Sequence, residues 1–91
     1  MTIRIENISA GSYQVTVEGA STTVHSVKVT PDYVQKLTNG GASAEMLIEK
    51  SFEFLLERES NTSILRSFDL PTIQRYFPEY ELTIAAALHE P

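Results

Sequence analysis

The chain has no cysteine in its 91 residues. That excludes a disulfide staple, a thiolate nucleophile and any zinc site built on cysteine. It has only two histidines, His25 and His89, 64 positions apart. A metal site needs three or four converging ligands, commonly with histidine pairs at short defined spacing, so no metal or cofactor is expected. Long apolar runs are also missing. Nothing approaches the roughly 20 residues of a membrane span, so no membrane partner is expected. The opening Met1–Asn7 places charges where a secretory signal needs an apolar stretch, and a cytoplasmic location is the expectation. The triplet Asn61-Thr62-Ser63 fits the glycosylation pattern, but without an export signal it reads as chance.

Basic residues are sparse. Seven of them (Arg4, Lys28, Lys36, Lys50, Arg58, Arg66, Arg75) face twelve acids, for a net charge of −5. Phosphate-backbone binding needs several bases on one face. The scattering argues against nucleic acid as a partner. No nucleophile elbow or glycine-flanked serine frames a catalytic triad. Asn39–Ser43 lacks the Gly-Lys-Ser/Thr of a phosphate loop and reads as a helix cap plus linker. The acids of the longest helix fall on its polar face. No catalytic residue is therefore assigned, and the protein is read as non-enzymatic.

What is present is one α+β domain over residues 1–91, with a hydrophobic content of 42%, ordinary for a globular chain. Residues 1–29 read as a three-stranded antiparallel β-meander. Ile3 and Ile5 alternate with Arg4 and Glu6 in a first strand at 2–8. Tyr13, Val15 and Val17 alternate in a second at 13–18, and a β-branched third covers 22–29. Glu18-Gly19-Ala20-Ser21 fits a type II′ turn. The third strand carries a parity conflict, because Val24 opposes Val27 and Val29. A bulge near His25-Ser26 resolves it, as does burial of both faces; without a bulge, His25 shares the core face with Val27 and Val29.

Residues 30–88 read as a cluster of three to four helices. Thr30-Pro31-Asp32 starts a short one to about Leu37, closed by Asn39-Gly40-Gly41. Ser43 caps the main helix, Ala44–Glu59. Leu47, Ile48, Ser51, Phe52, Phe54 and Leu55 form one arc, with Glu49, Lys50, Glu53 and Glu57 opposite. Glu45, Glu49, Glu53 and Glu57 repeat every four residues. This row reads as a solvated face or, alternatively, as a surface for a basic partner. A turn follows through Ile64–Ser67. Asp69 caps a helix from Leu70-Pro71 to about Phe77, and Tyr80, Ile84 and Leu88 mark a last one.

Three segments, Ser51–Glu59 (SFEFLLERE), Asn61–Leu70 (NTSILRSFDL) and Arg75–Glu81 (RYFPEYE), resemble a family of small uncharacterised bacterial proteins. The resemblance runs from about Val29 to Glu81. It implies a bacterial setting and supplies neither an activity nor site residues. Thr72–Pro78 also resembles the recognition helix of TetR-type repressors, which makes a helix-turn-helix over 63–80 the alternative functional reading. Only Gln74 and Arg75 there could reach base edges, no glycine sits at the turn, and Asp69, Glu79 and Glu81 would repel phosphate.

The remaining oddity is apolar excess in the helical half. Phe54, Leu56, Tyr76, Phe77 and Tyr80 exceed what a small sheet can cover, and surplus apolar surface on a small domain marks an interface. The expectation is a homodimeric interaction or accessory module held by these five residues. Pairing across the third strand's edge is the second geometry.

Overall fold

The computed structural model describes residues 1–88. Four strands, β1 (Thr2–Ser9), β2 (Ser12–Glu18), β3 (Thr22–Lys28) and β4 (Ser67–Asp69), form one sheet in the order β1-β2-β3-β4. The first three are the antiparallel meander. The fourth pairs parallel to β3, with Val27 opposite Phe68. The sheet is therefore mixed and four-stranded, where a three-stranded antiparallel one was expected. The crossover from β3 to β4 carries helices α1 (Pro31–Thr38) and α2 (Ala44–Leu56) and a 3₁₀ turn, Asn61–Ser63. A parallel connection needs a crossover of this kind. Helices α3 (Thr72–Tyr76) and α4 (Tyr80–Leu88) follow β4.

β3 has no bulge. Its burial alternates strictly, with Thr23, His25 and Val27 inward and Val24 outward. The parity conflict is resolved by placing a histidine in the core. The one irregularity in the meander lies in β1, between Asn7 and Ser9. The type II′ turn does not form: Glu18 pairs with Thr22 across a three-residue loop, and Gly19 lacks a positive φ. Gly11 has one (φ +75°), and a Cβ there would sit 3.0 Å from the Val29 carbonyl.

Local chemistry explains the helix starts. Thr30 Oγ1 accepts from the Tyr33 amide at 3.2 Å, and Ser43 Oγ accepts from the Met46 amide at 3.1 Å. Asn39, left-handed at φ 52°, closes α1. The buried residues of α2 are Leu47, Ile48, Ser51, Phe52, Phe54 and Leu55, the arc that its spacing places together. The helix ends three residues early, at Leu56. There Arg58 Nη1 donates to the Phe54 carbonyl at 2.9 Å and satisfies one of the terminal acceptors. The core lies between the inner sheet face (Val15, Val17, Val27) and α2 (Leu47, Ile48, Phe52), closed by Leu37, Leu70, Ile73 and Ile84.

Residues 63–80 do not form a helix-turn-helix. The segment holds the end of a 3₁₀ turn, a strand and the five-residue α3. Asp69 belongs to β4 and caps nothing; Pro71 precedes α3 without a side-chain cap. The Leu70 amide donates to the Lys28 carbonyl at 2.8 Å, so this stretch is held by the sheet rather than by its own helical preference.

Candidate functional site

Four segments converge past the β4 edge of the sheet. α2 and its extension bring Leu55 and Glu59, and the turn brings Ser63, Ile64 and Leu65. β4 brings Phe68; α3 and the residue after it bring Thr72, Ile73, Tyr76 and Phe77. Together they line an open groove of about 310 Å³. Its floor is core: Leu55, Ile64 and Ile73 are nearly sealed. Its rim is exposed: Leu65 is 48% and Tyr76 66% accessible. Large apolar side chains left open beside an apolar floor are the ordinary mark of a contact surface.

Of the five residues expected at an interface, two are internal. Tyr80 is fully buried and Phe54 is 3% exposed. The phenol of Tyr80 lies 2.6 Å from Ser51 Oγ, which itself donates to the Leu47 carbonyl at 2.7 Å; the phenol is therefore the donor of the pair. Burial pushes the Tyr80 hydroxyl well above its ordinary range. The Phe54 ring meets Phe77 edge-on at 5.8 Å and Tyr80 at 5.4 Å. Its remaining side is covered by the Arg58 guanidinium, 3.6 Å from the ring centroid. Much of the apolar surplus is thus consumed inside the helical half. Phe77 is half-buried and lines the groove, and Leu56 is half-buried at the opposite end of the sheet. Tyr76 alone of the five is open. Nor is β3 an open edge along its length, since β4 pairs with it over Ser26–Lys28; the sheet ends at β1 on one side and β4 on the other.

The alternation of apolar and polar residues could not reveal Leu65. Adjacent to Ile64 in a short turn, it cannot share Ile64's inward direction, and that adjacency was the available signal. Phe68 was hidden because Asp69 reads as a helix cap rather than as the end of a strand, and Ile73 because the helix drawn from Leu70 to Phe77 is only the five residues Thr72–Tyr76.

His25 lies in the core. It is fully buried, with its ring 5.4 Å from that of Phe52. Nδ1 lies 2.7 Å from the Leu65 carbonyl, and Nε2 lies 2.8 Å from Thr23 Oγ1. Asn61 Nδ2 donates to Thr23 Oγ1 at 3.1 Å and to the Ser21 carbonyl at 2.8 Å. This chain fastens the 61–65 segment, and with it the groove wall, to β3. It also occupies the Asn61 amide that the glycosylation pattern would have required. His89 lies outside the described residues.

A second polar tie joins α1 to α4. Tyr33 donates to Glu81 Oε2 at 2.8 Å, and Lys36 Nζ sits 3.2 Å from Glu81 Oε1. Gln74 Oε1 accepts from the Glu81 amide at 2.9 Å while its Nε2 donates to the Pro78 carbonyl at 2.6 Å. The side chain expected to face a base edge is therefore engaged at both ends. Among the described residues no buried side-chain polar atom lacks a partner, and no group of three acidic or histidine side chains is placed to hold a metal. No helix among them is long and apolar enough to cross a membrane. No protein-family model, no curated protein and no solved structure matches this chain.

Proposed function

We propose that this domain is a non-enzymatic interaction module of the bacterial cytoplasm that pairs with a second copy of itself through the groove bounded by Leu65 and Tyr76. The observation that carries the reading is the combination of an apolar floor, Leu55, Ile64 and Ile73, with an exposed apolar rim. Charge supports a second copy here. Glu59 is the acid lining the groove, and the exposed Arg66 and Arg75 adjoin Leu65 and Tyr76 in sequence. This face can meet its own image without the repulsion that a net charge of −5 imposes elsewhere. Tyr76 is the natural anchor, since aromatic side chains dominate interface energetics. The DNA-binding reading loses its geometric support with the loss of the helix-turn-helix.

Amide chemical shifts followed on dilution test this. Shifts confined to residues 63–77 support pairing through the groove. Spectra that do not change with concentration while the protein stays monomeric would refute it.

A further inference from the structure

β1 ends the sheet at the edge opposite the groove and, among the described residues, has a strand partner on one side only. Alternate backbone N–H and C=O groups on its other side point away from the sheet with no strand to receive them. The two inward residues of this strand, Ile3 and Ile5, are only half-buried. Along them runs α2. One depression joins Ile3 and Ile5 to Glu45 and Glu49; the next joins Ile3 to Glu49, Glu53, Leu56 and Glu57. Their volumes are about 280 and 510 Å³, and sharing Ile3 and Glu49 makes them one trough. It has an apolar floor, a free strand edge on one side and a row of carboxylates on the other.

The spacing of that row has a consequence. Residues four apart on a helix recur about every 6 Å along its axis. Side chains on one face of a strand recur about every 6.7 Å. The carboxylates of α2 therefore step at nearly the interval of alternate residues in an extended chain. Glu53 is paired with Lys50 at 3.4 Å and Glu57 with Arg58 at 3.4 Å, whereas Glu45 and Glu49 form no ion pair among the described residues.

We propose that this trough takes an extended basic segment of another protein as a fifth strand. The segment hydrogen-bonds to the open edge of β1 and presents Lys or Arg at alternate positions to Glu45, Glu49 and Glu53. The aliphatic stems of those bases lie over Ile3 and Ile5 while their charged heads reach the carboxylates. Backbone bonds supply affinity and the alternate side chains supply selectivity, as in other strand-addition sites. A second copy does not fit here. Antiparallel β1–β1 pairing across a two-fold axis would put both α2 helices on the same face of the continued sheet, acidic row against acidic row. The trough and the groove lie at opposite edges of the sheet, so this proposal stands apart from self-association.

The test uses the full chain, isotope-labelled, titrated with synthetic peptides of about eight residues, the length of β1. The parent peptide alternates Lys with Val and Thr. A second has the same composition with its lysines contiguous. Two more carry N-methyl groups on one or the other set of alternate amides. The expected result is binding on the order of tens of micromolar at low salt, with shifts confined to β1 and α2. Contiguous lysines weaken it about tenfold, and one of the two methylation patterns abolishes it, because only one set of amides faces β1. The Glu45→Gln, Glu49→Gln double variant, which keeps side-chain size, also binds about tenfold more weakly. Equal binding of all four peptides would mean unspecific attraction to an acidic surface and would overturn the proposal. So would absence of binding, shifts located elsewhere, or concentration-dependent shifts of β1 without peptide.

Discussion

Thr23 Oγ1 lies 2.8 Å from His25 Nε2, and the direction of this bond is set at the other ring nitrogen. The Leu65 carbonyl can only accept, so Nδ1 carries the proton and Nε2 accepts from the Thr23 hydroxyl. The hydroxyl in turn accepts from Asn61. Every group is satisfied with the ring neutral. A second proton on the ring would turn Nε2 into a donor and leave the Thr23 hydroxyl proton without its acceptor.

Acid should therefore loosen the domain. Burial lowers the His25 pKa below its ordinary 6.5; the bond to Leu65 opposes this in part, and the charge of Arg66 reinforces it. Phe52 is the α2 ring packed against it, and the acids of α2 lie on the far face of that helix. A folded pKa below the unfolded one contributes stability that is intact above about pH 6.5 and declines as pH falls through that value. The decline is at most about 1.4 kcal/mol per pH unit. Urea midpoints from pH 8 to 5 should be flat, then fall. A His25→Phe variant, less stable at pH 8 through loss of the Leu65 tie, should show a shallower fall across pH 6.5–5.

The Ser51–Tyr80 pair makes an asymmetric prediction. Tyr80→Phe removes a donor and leaves Ser51 bonded to Leu47, at a cost of about 1 kcal/mol. Ser51→Ala strands a buried phenol and should cost about 1–3 kcal/mol, although it deletes one atom. The double variant should be no worse than Ser51→Ala alone, since the orphaned hydroxyl is gone. Denaturation of the three variants measures the coupling, and strict additivity would mean the bond is not formed.

Core and rim should separate cleanly. Leu55 is 4% exposed, and Leu55→Ala should cost about 2–5 kcal/mol. Tyr76 is 66% exposed, and at concentrations where the chain is monomeric Tyr76→Ala should change stability by no more than about 0.5 kcal/mol. Urea midpoints of the two variants check this.

Duplex DNA of mixed sequence should show no binding below about 100 μM at roughly 150 mM salt. The bases are dispersed, and Gln74 is held by Pro78 and Glu81. Fluorescence anisotropy decides this.

The meander, the buried arc of α2 and the caps at Thr30 and Ser43 were legible because each rests on local chemistry: alternation, a period of 3.6, a side-chain oxygen ahead of a helix. β4 was not legible. Three residues carry almost no pattern, and Ser67-Phe68-Asp69 is extended because Val27 and its neighbours across the sheet hold it so. The groove was hidden with it. The aromatic surplus was visible, but its direction was not. Whether Tyr80 faces outward depends on Ser51, 29 residues earlier, offering it an acceptor. The acidic repeat of α2 could be read from spacing; the free edge of β1 beside it required the sheet order.

Sedimentation equilibrium tests directly whether the Leu65–Tyr76 groove pairs two copies. At tens of micromolar the wild-type chain should approach twice its 10.2 kDa mass. Tyr76→Asp should return it to 10.2 kDa, with a urea midpoint nearly that of the wild type when both are measured at concentrations low enough to be monomeric. A wild-type mass of 10.2 kDa at every concentration, or a dimer that survives Tyr76→Asp, would contradict the account.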